Sequence, residues 1–97
     1  MPEIILQRST RPEKKWMVTL PDDKVIHFGS SAHEDYTQHG DKERQQKYLK
    51  RHEKREDWSD WSTAGFWSRW LLWSSPSLAK AIRHLKHKFN LHIIYKR

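Results

Sequence analysis

Five of the chain's six tryptophans fall between Trp58 and Trp73, and that clustering limits the possible folds more than any other feature. Each large aromatic side chain buries about 150–250 Å². The remaining apolar supply is thin: 35% of residues are hydrophobic, against a usual figure of about 45–50% counted with glycine. A chain of 97 residues has room for one core, so residues 1–97 read as a single domain built round a few large side chains. Full disorder does not fit, because disordered chains are poor in aromatics.

Residues 1–29 read as β. Ile4-Ile5-Leu6 is a short apolar run, and Pro12 breaks any helix after it. Lys15 to Leu20 and Lys24 to Phe28 alternate apolar and polar positions on either side of Pro21-Asp22-Asp23, a turn sequence, so they predict a hairpin ended by Gly29. Alternation puts Trp16, Val18 and Leu20 on one face of the first strand, and Ile26 and Phe28 on one face of its partner. Residues 30–40 read as a polar loop. Asp41 is a candidate N-cap for a basic polar helix over 41–56, whose only large apolar side chains are Tyr48 and Leu49. In the Trp-rich segment 58–73, a turn carrying Trp58 and Trp61 leads to Thr63, which can cap a helix over Ala64 to Trp73. The spacing 78, 82, 85, 89 predicts an amphipathic helix over 75–89, with Ser75 as N-cap, Pro76 at its first position and Asn90 as its stop. Residues 91–95 read as a final strand.

The formal net charge is +7, and seven histidines add to it below neutral pH. That field favours anionic partners. Residues 42–55 carry an excess of five positive charges, and residues 76–97 carry six Lys or Arg with no Asp or Glu. Basic side chains on helices neutralise phosphates and release counterions without reading sequence. The candidate polyanion-binding residues are therefore Arg44, Lys47, Lys50, Arg51, Lys54 and Arg55 on the first basic helix, with Lys80, Arg83 and Lys86 on the second. The other reading of such runs is a solvated face. Trp58, Trp61, Phe66, Trp67, Trp70 and Trp73 are candidate core or interface anchors.

The chain has no Cys, which excludes disulfides, zinc–thiolate sites and thiol nucleophiles and points to a reducing compartment. The first residues lack the apolar stretch of a signal peptide, and no apolar run approaches the roughly 20 residues that cross a membrane. Asp35, Tyr36, Thr37, His39 and His52 read as a hydrogen-bond network of the polar loop, with His52 facing it from the helix. His39, His52 and Asp35 also define a metal-dependent nuclease alternative, but their spacing matches no metal motif, and neither metal nor cofactor is expected. No G-x-S-x-G elbow or phosphate-binding glycine loop is present.

A longer pattern runs through these residues: His27-Phe28-Gly29, Asp35-Tyr36-Thr37, His39, Asp41, Arg44, Tyr48, Arg51-His52 and Trp58, then Gly65-Phe66-Trp67-Ser68-Arg69-Trp70-Leu71-Leu72-Trp73 and Pro76-Ser77-Leu78. Over about residues 15–89 it resembles a family of small basic proteins of large double-stranded DNA viruses of algae, amoebae and other hosts. The chain departs from that family at Ser30-Ser31-Ala32-His33, where the family has a glycine and an aromatic, and at Gly40, where it has Lys. The resemblance implies a viral origin and a place in the virus particle; it implies no mechanism.

Together these readings predict an α+β fold, with an N-terminal hairpin or sheet, joined by the C-terminal strand, against about three helices. The functional expectation is a non-enzymatic structural protein, a minor capsid or internal virion component, found in the virion or the host cell interior. Its expected partners are other viral structural proteins and the phosphates of DNA or RNA, with no membrane insertion. The alternative is a nucleic-acid-binding protein acting mainly through phosphate contacts.

Overall fold

The computed structural model describes residues 3–96. Met1, Pro2 and Arg97, which belong to the expected β region and the basic C-terminal segment, lie outside the described residues. Strands β1 (Glu3–Arg8), β2 (Lys14–Thr19) and β3 (Val25–Ser30) form an antiparallel meander. Strand β4 (His92–Tyr95) then runs parallel to β1, giving the order β3-β2-β1-β4. The fold is α+β, and the C-terminal strand joins the N-terminal sheet.

Alternation sets the buried face. Ile4 and Leu6 of β1, Trp16 and Val18 of β2, Ile26 and Phe28 of β3 and Ile93 of β4 all turn to the same side and are buried. At the β2–β3 turn the amide of Leu20 donates to the carbonyl of Lys24 at 2.8 Å, and Asp23 takes the left-handed conformation at φ 68°. β3 does not stop at Gly29 as its sequence suggests. It continues to Ser30, with Gly29 at φ +80°, a conformation that costs little only in glycine. A methyl group there would also come within 2.7 Å of Leu72 Cδ1.

The expected loop over 30–40 contains a short helix, α1 (Tyr36–His39). Its start is a capping box: the Asp35 side chain accepts from the Thr37 amide, and the Gln38 side chain accepts from the Asp35 amide. Helix α2 (Lys42–His52) begins at the predicted cap, Asp41, whose carboxylate accepts from the amides of Glu43 and Arg44. It ends earlier than expected, at His52. Residues 53–55 are exposed, so another helical turn would have no apolar surface to bury, and Glu56 instead folds back to Trp58.

The Trp-rich segment is not one α-helix. Thr63 caps a single turn, α3 (Ala64–Trp67), and the chain then widens into a π-helical stretch over Ser68–Leu72. The Trp73 amide donates to the Ser68 carbonyl at 3.1 Å, five residues back. With more residues per turn, Trp67, Leu71 and Leu72 can all face inward, and each is at most 1% exposed. Helix α4 (Leu78–Phe89) starts two residues later than expected. Its N-cap is Ser77, which accepts from the Lys80 amide, so Pro76 lies outside the helix. Ala81, Ile82 and Leu85 are buried, and Leu78 and Phe89 pack at the edge of the core. Asn90 in the left-handed conformation closes the helix and returns the chain to β4.

The indoles tie this layer together. Trp67 Nε1 donates to the carbonyl of Trp61 at 2.8 Å and Trp70 Nε1 to that of Trp58 at 2.7 Å. Thus the turn carrying two Trp is fastened to the helix that follows it. Phe66 and Trp67 are fully buried; Trp61, Trp70 and Trp73 are half-buried against the core. Among the described residues, no helix is long and apolar enough to cross a membrane.

Candidate functional site

Helix α2 is held through a narrow edge. Tyr48 is stacked between His52, at 4.1 Å between ring centroids, and Trp73, at 4.2 Å and almost parallel. One turn earlier, Gln45 Nε2 donates to the Trp73 carbonyl at 2.8 Å. Positions 45, 48 and 52 fall on one side of a helix, so these contacts fix its rotation and turn Arg44, Lys47 and Arg51 toward a cleft beside it. Burial pushes the Tyr48 phenol well above its ordinary pKa. The nearby Glu56 carboxylate adds to the shift, and a hydrogen bond with Ser68 opposes it.

The cleft holds about 570 Å³. It is lined by Lys14 and Ser30, at the paired ends of β2 and β3, by the edge of α2, and by Ala64, Gly65, Ser68 and Leu72. A Cβ at Gly65 would sit 2.7 Å from the carboxyl carbon of Glu56, so the Glu56 side chain lies directly against the glycine and would have to shift for any larger residue.

The acids of the cleft are already engaged. Asp35, 3% exposed, pairs with Lys15 Nζ at 2.7 Å and also accepts from the Thr37 amide and hydroxyl. Glu56 accepts from Trp58 Nε1 at 2.9 Å and lies 3.4 Å from His52 Nδ1. Glu34 reaches Arg44 only at 3.8 Å, both of them exposed. Lys47 lies 3.4 Å from Glu43, an exposed pair on the same helix. Such pairs are weak and screened by salt. The side chains of Lys14 and Arg51 have no hydrogen-bond or ion-pair partner among the described residues.

The remaining polyanion candidates are also placed outward. Lys50, Arg51, Lys54 and Arg55 are exposed, as are Lys80 and Arg83, while Lys86 is half-buried. Arg83, Lys86 and His87 border a shallow depression with His92 where α4 meets β4. The two basic sets stay on separate helices, α2 held at Trp73 and α4 packed on the π-helical stretch.

The residues of the expected loop network do not all meet. Asp35 and Thr37 form the α1 cap. His39 Nδ1 accepts from the Asp41 amide at 2.9 Å, and its ring lies between Tyr36 and Trp73. His52 stands apart, on Tyr48 and Glu56. Among the described residues no group of three or more His, Cys, Asp or Glu is placed to hold a metal ion.

Several residues of the site escape a sequence reading. Lys14 and Lys15 look like ordinary strand residues. Gln45 had a usable signal, its place on the Tyr48 face of α2. Outside the cleft, Arg69 is the largest omission. Its guanidinium lies 4.3 Å from the Trp70 ring centroid and 5.0 Å from that of Trp58, with Nε and Nη1 buried and without hydrogen-bond partners. Burial lowers its pKa.

Residues 4–52, slightly more than half of the chain, match a family of unknown function, DUF5754. The chain belongs to this family. The DUF5754 match takes in β1 to β3, α1 and α2, and so includes the cleft's cations and the Asp35 cap. The wall at Gly65, Ser68 and Leu72 and the whole Trp-rich segment lie beyond it. No curated protein and no solved structure matches the chain.

Proposed function

We propose that this DUF5754 protein is a non-enzymatic structural component of a virus particle whose basic helices contact the phosphates of the packaged genome. The observation that carries the reading is uncommitted positive charge. Lys42, Lys50, Arg51, Lys54 and Arg55 on and after α2, and Lys80, Arg83 and Lys86 on α4, have no side-chain partner among the described residues. A cation with an internal partner gains little by meeting a phosphate, whereas a free one displaces a counterion. The acids and histidines of the nuclease alternative are engaged in caps, stacks and ion pairs, which favours binding over catalysis. The viral setting rests on the resemblance of the sequence.

The test is a titration of duplex DNA at several salt concentrations, together with a search for the protein in disrupted, purified particles. If most of these eight cations meet phosphates, log K falls with log salt with a slope between about −4 and −7. A flat response overturns the phosphate reading, and absence from the particles overturns the structural one.

A further inference from the structure

We propose that the cleft beside α2 receives one nucleotide of a nucleic-acid strand, with its phosphate held by Lys14 and Arg51 and its sugar and base along the wall at Ala64 and Ser68. This rests on the phosphate reading above and adds a specific site and a preferred form of nucleic acid.

Charge is the first reason. Lys14 comes from the sheet and Arg51 from α2, both line the cleft, and neither side chain has an internal partner among the described residues. Arg44 and Lys47 stand on the same face of α2 with only weak, exposed acid neighbours. The inner carboxylates do not repel an entering anion as free acids would, because Lys15 neutralises Asp35 and the Trp58 indole and His52 hold Glu56. Guanidinium and ammonium groups that line one cleft from two different elements suit a phosphate, which accepts several charge-assisted hydrogen bonds at once.

Size and surface are the second reason. About 570 Å³ lies well inside the range of roughly 300–1,000 Å³ found for small-molecule sites and exceeds what a bare phosphate needs. The wall offers Ala64 as exposed apolar surface, and the hydroxyl of Ser68, the imidazole of His52 and the carboxylate of Glu56, which covers the bare side of Gly65, as polar atoms.

The stacked rings determine the form of nucleic acid. Tyr48 has both faces covered, by His52 and Trp73. A base therefore lies along the wall and is not sandwiched between rings. A base inside a duplex cannot leave its stack without cost, so the cleft prefers an unpaired nucleotide.

The experiment compares a twenty-nucleotide thymidine single strand, a duplex of equal length, free adenosine monophosphate and polyglutamate. Binding to the full chain is followed by anisotropy and calorimetry. The expected result is tighter binding of single strand than duplex and weak binding of the free nucleotide. Lys14→Ala and Arg51→Ala should each weaken the single strand about tenfold and the duplex less than about threefold. Lys80→Ala/Arg83→Ala, away from the cleft, should weaken both strands alike. Circular dichroism confirms that each variant is folded. Equal binding of duplex and single strand, with cleft variants no worse than the α4 variant, overturns the cleft proposal and leaves the phosphate reading standing. Free nucleotide bound in a Lys14- and Arg51-dependent way, without strand binding, overturns the genome reading and assigns the cleft to free nucleotides. Polyglutamate bound as tightly as the single strand overturns the nucleotide assignment.

Discussion

Replacing Arg69 with methionine should stabilise the protein although it removes a charge and two ring contacts. The guanidinium sits between Trp58 and Trp70, and its Nε and Nη1 are buried without acceptors. Each unsatisfied buried donor costs about 1–3 kcal/mol. Against this stand two cation–ring contacts, each contributing about 0.5–1 kcal/mol at a partly exposed position and about 2 when desolvated. Methionine is unbranched, suits a helix, and makes its own sulfur–aromatic contacts of about 0.3–1.5 kcal/mol. The balance favours Arg69→Met by about 1–2 kcal/mol, a rise in Tm of roughly 5–15 °C for a chain of this size. Arg69→Lys is the contrasting variant: it keeps a charge in the same place, loses the planar fork that lies against the rings, and should be less stable than wild type. Urea unfolding followed by tryptophan fluorescence and by far-ultraviolet dichroism measures both, with an unchanged m-value required for the comparison. A loss of more than about 1 kcal/mol in Arg69→Met would refute the reasoning, because the ring contacts would then outweigh two unpaired donors.

Two further outcomes follow from the geometry. Gly29→Ala places a Cβ 2.7 Å from Leu72 Cδ1 in a strand held at φ +80°; the left-handed penalty and the overpacking together predict a loss of about 2–5 kcal/mol. Leu72→Ala in the same chain should make the second substitution cheaper, and strict additivity of the two would sink the clash explanation. For Tyr48, burial and Glu56 favour the neutral phenol in the folded state. A group whose folded pKa is raised contributes fully below its unfolded value and loses that contribution as pH climbs above it, so alkaline unfolding should set in above about pH 10. Tyr48→Phe should move that onset upward, and an identical alkaline midpoint in dichroism would count against the assignment.

Much of the fold was legible because local chemistry and tertiary packing agree. The β2–β3 hairpin, the Asp41 and Thr63 caps and the Asn90 stop rest on turn and cap residues that act over a few positions. Misreadings occurred where a distant contact decides. Ser75 and Ser77 are equally good caps in isolation, and only the packing of Leu78 onto the core selects the second. Gly29 looks like a strand end until Leu72 is seen beneath it. The π-helical stretch is invisible to a 3.6-residue period, because it serves the simultaneous burial of Trp67, Leu71 and Leu72. The candidate site was half legible. Charge runs revealed Arg44, Lys47 and Arg51, but the cleft's other free cation among the described residues is Lys14, thirty residues before Arg44, and nothing local singles it out.

The pairing of β1 with β4 makes the first strand wait for the last. Glu3 to Leu6 take their second neighbour from His92 to Tyr95, so a chain growing from its N-terminus can form the β1–β2–β3 meander early yet leaves one edge of β1 open until residues 92–95 have been made. During that interval the edge offers unpaired backbone groups beside Ile4 and Leu6, a template for pairing with another nascent chain. The same arrangement brings the two ends of the described chain into one region of the sheet. A circular permutant that joins residues 96 and 3 through a flexible linker of about a dozen residues, the length a parallel pair needs, and opens at the Pro21-Asp22-Asp23 turn would make β1 and β4 close in sequence. The late, long-range closure would become an early, local one, and folding would no longer depend on the order in which the chain is made.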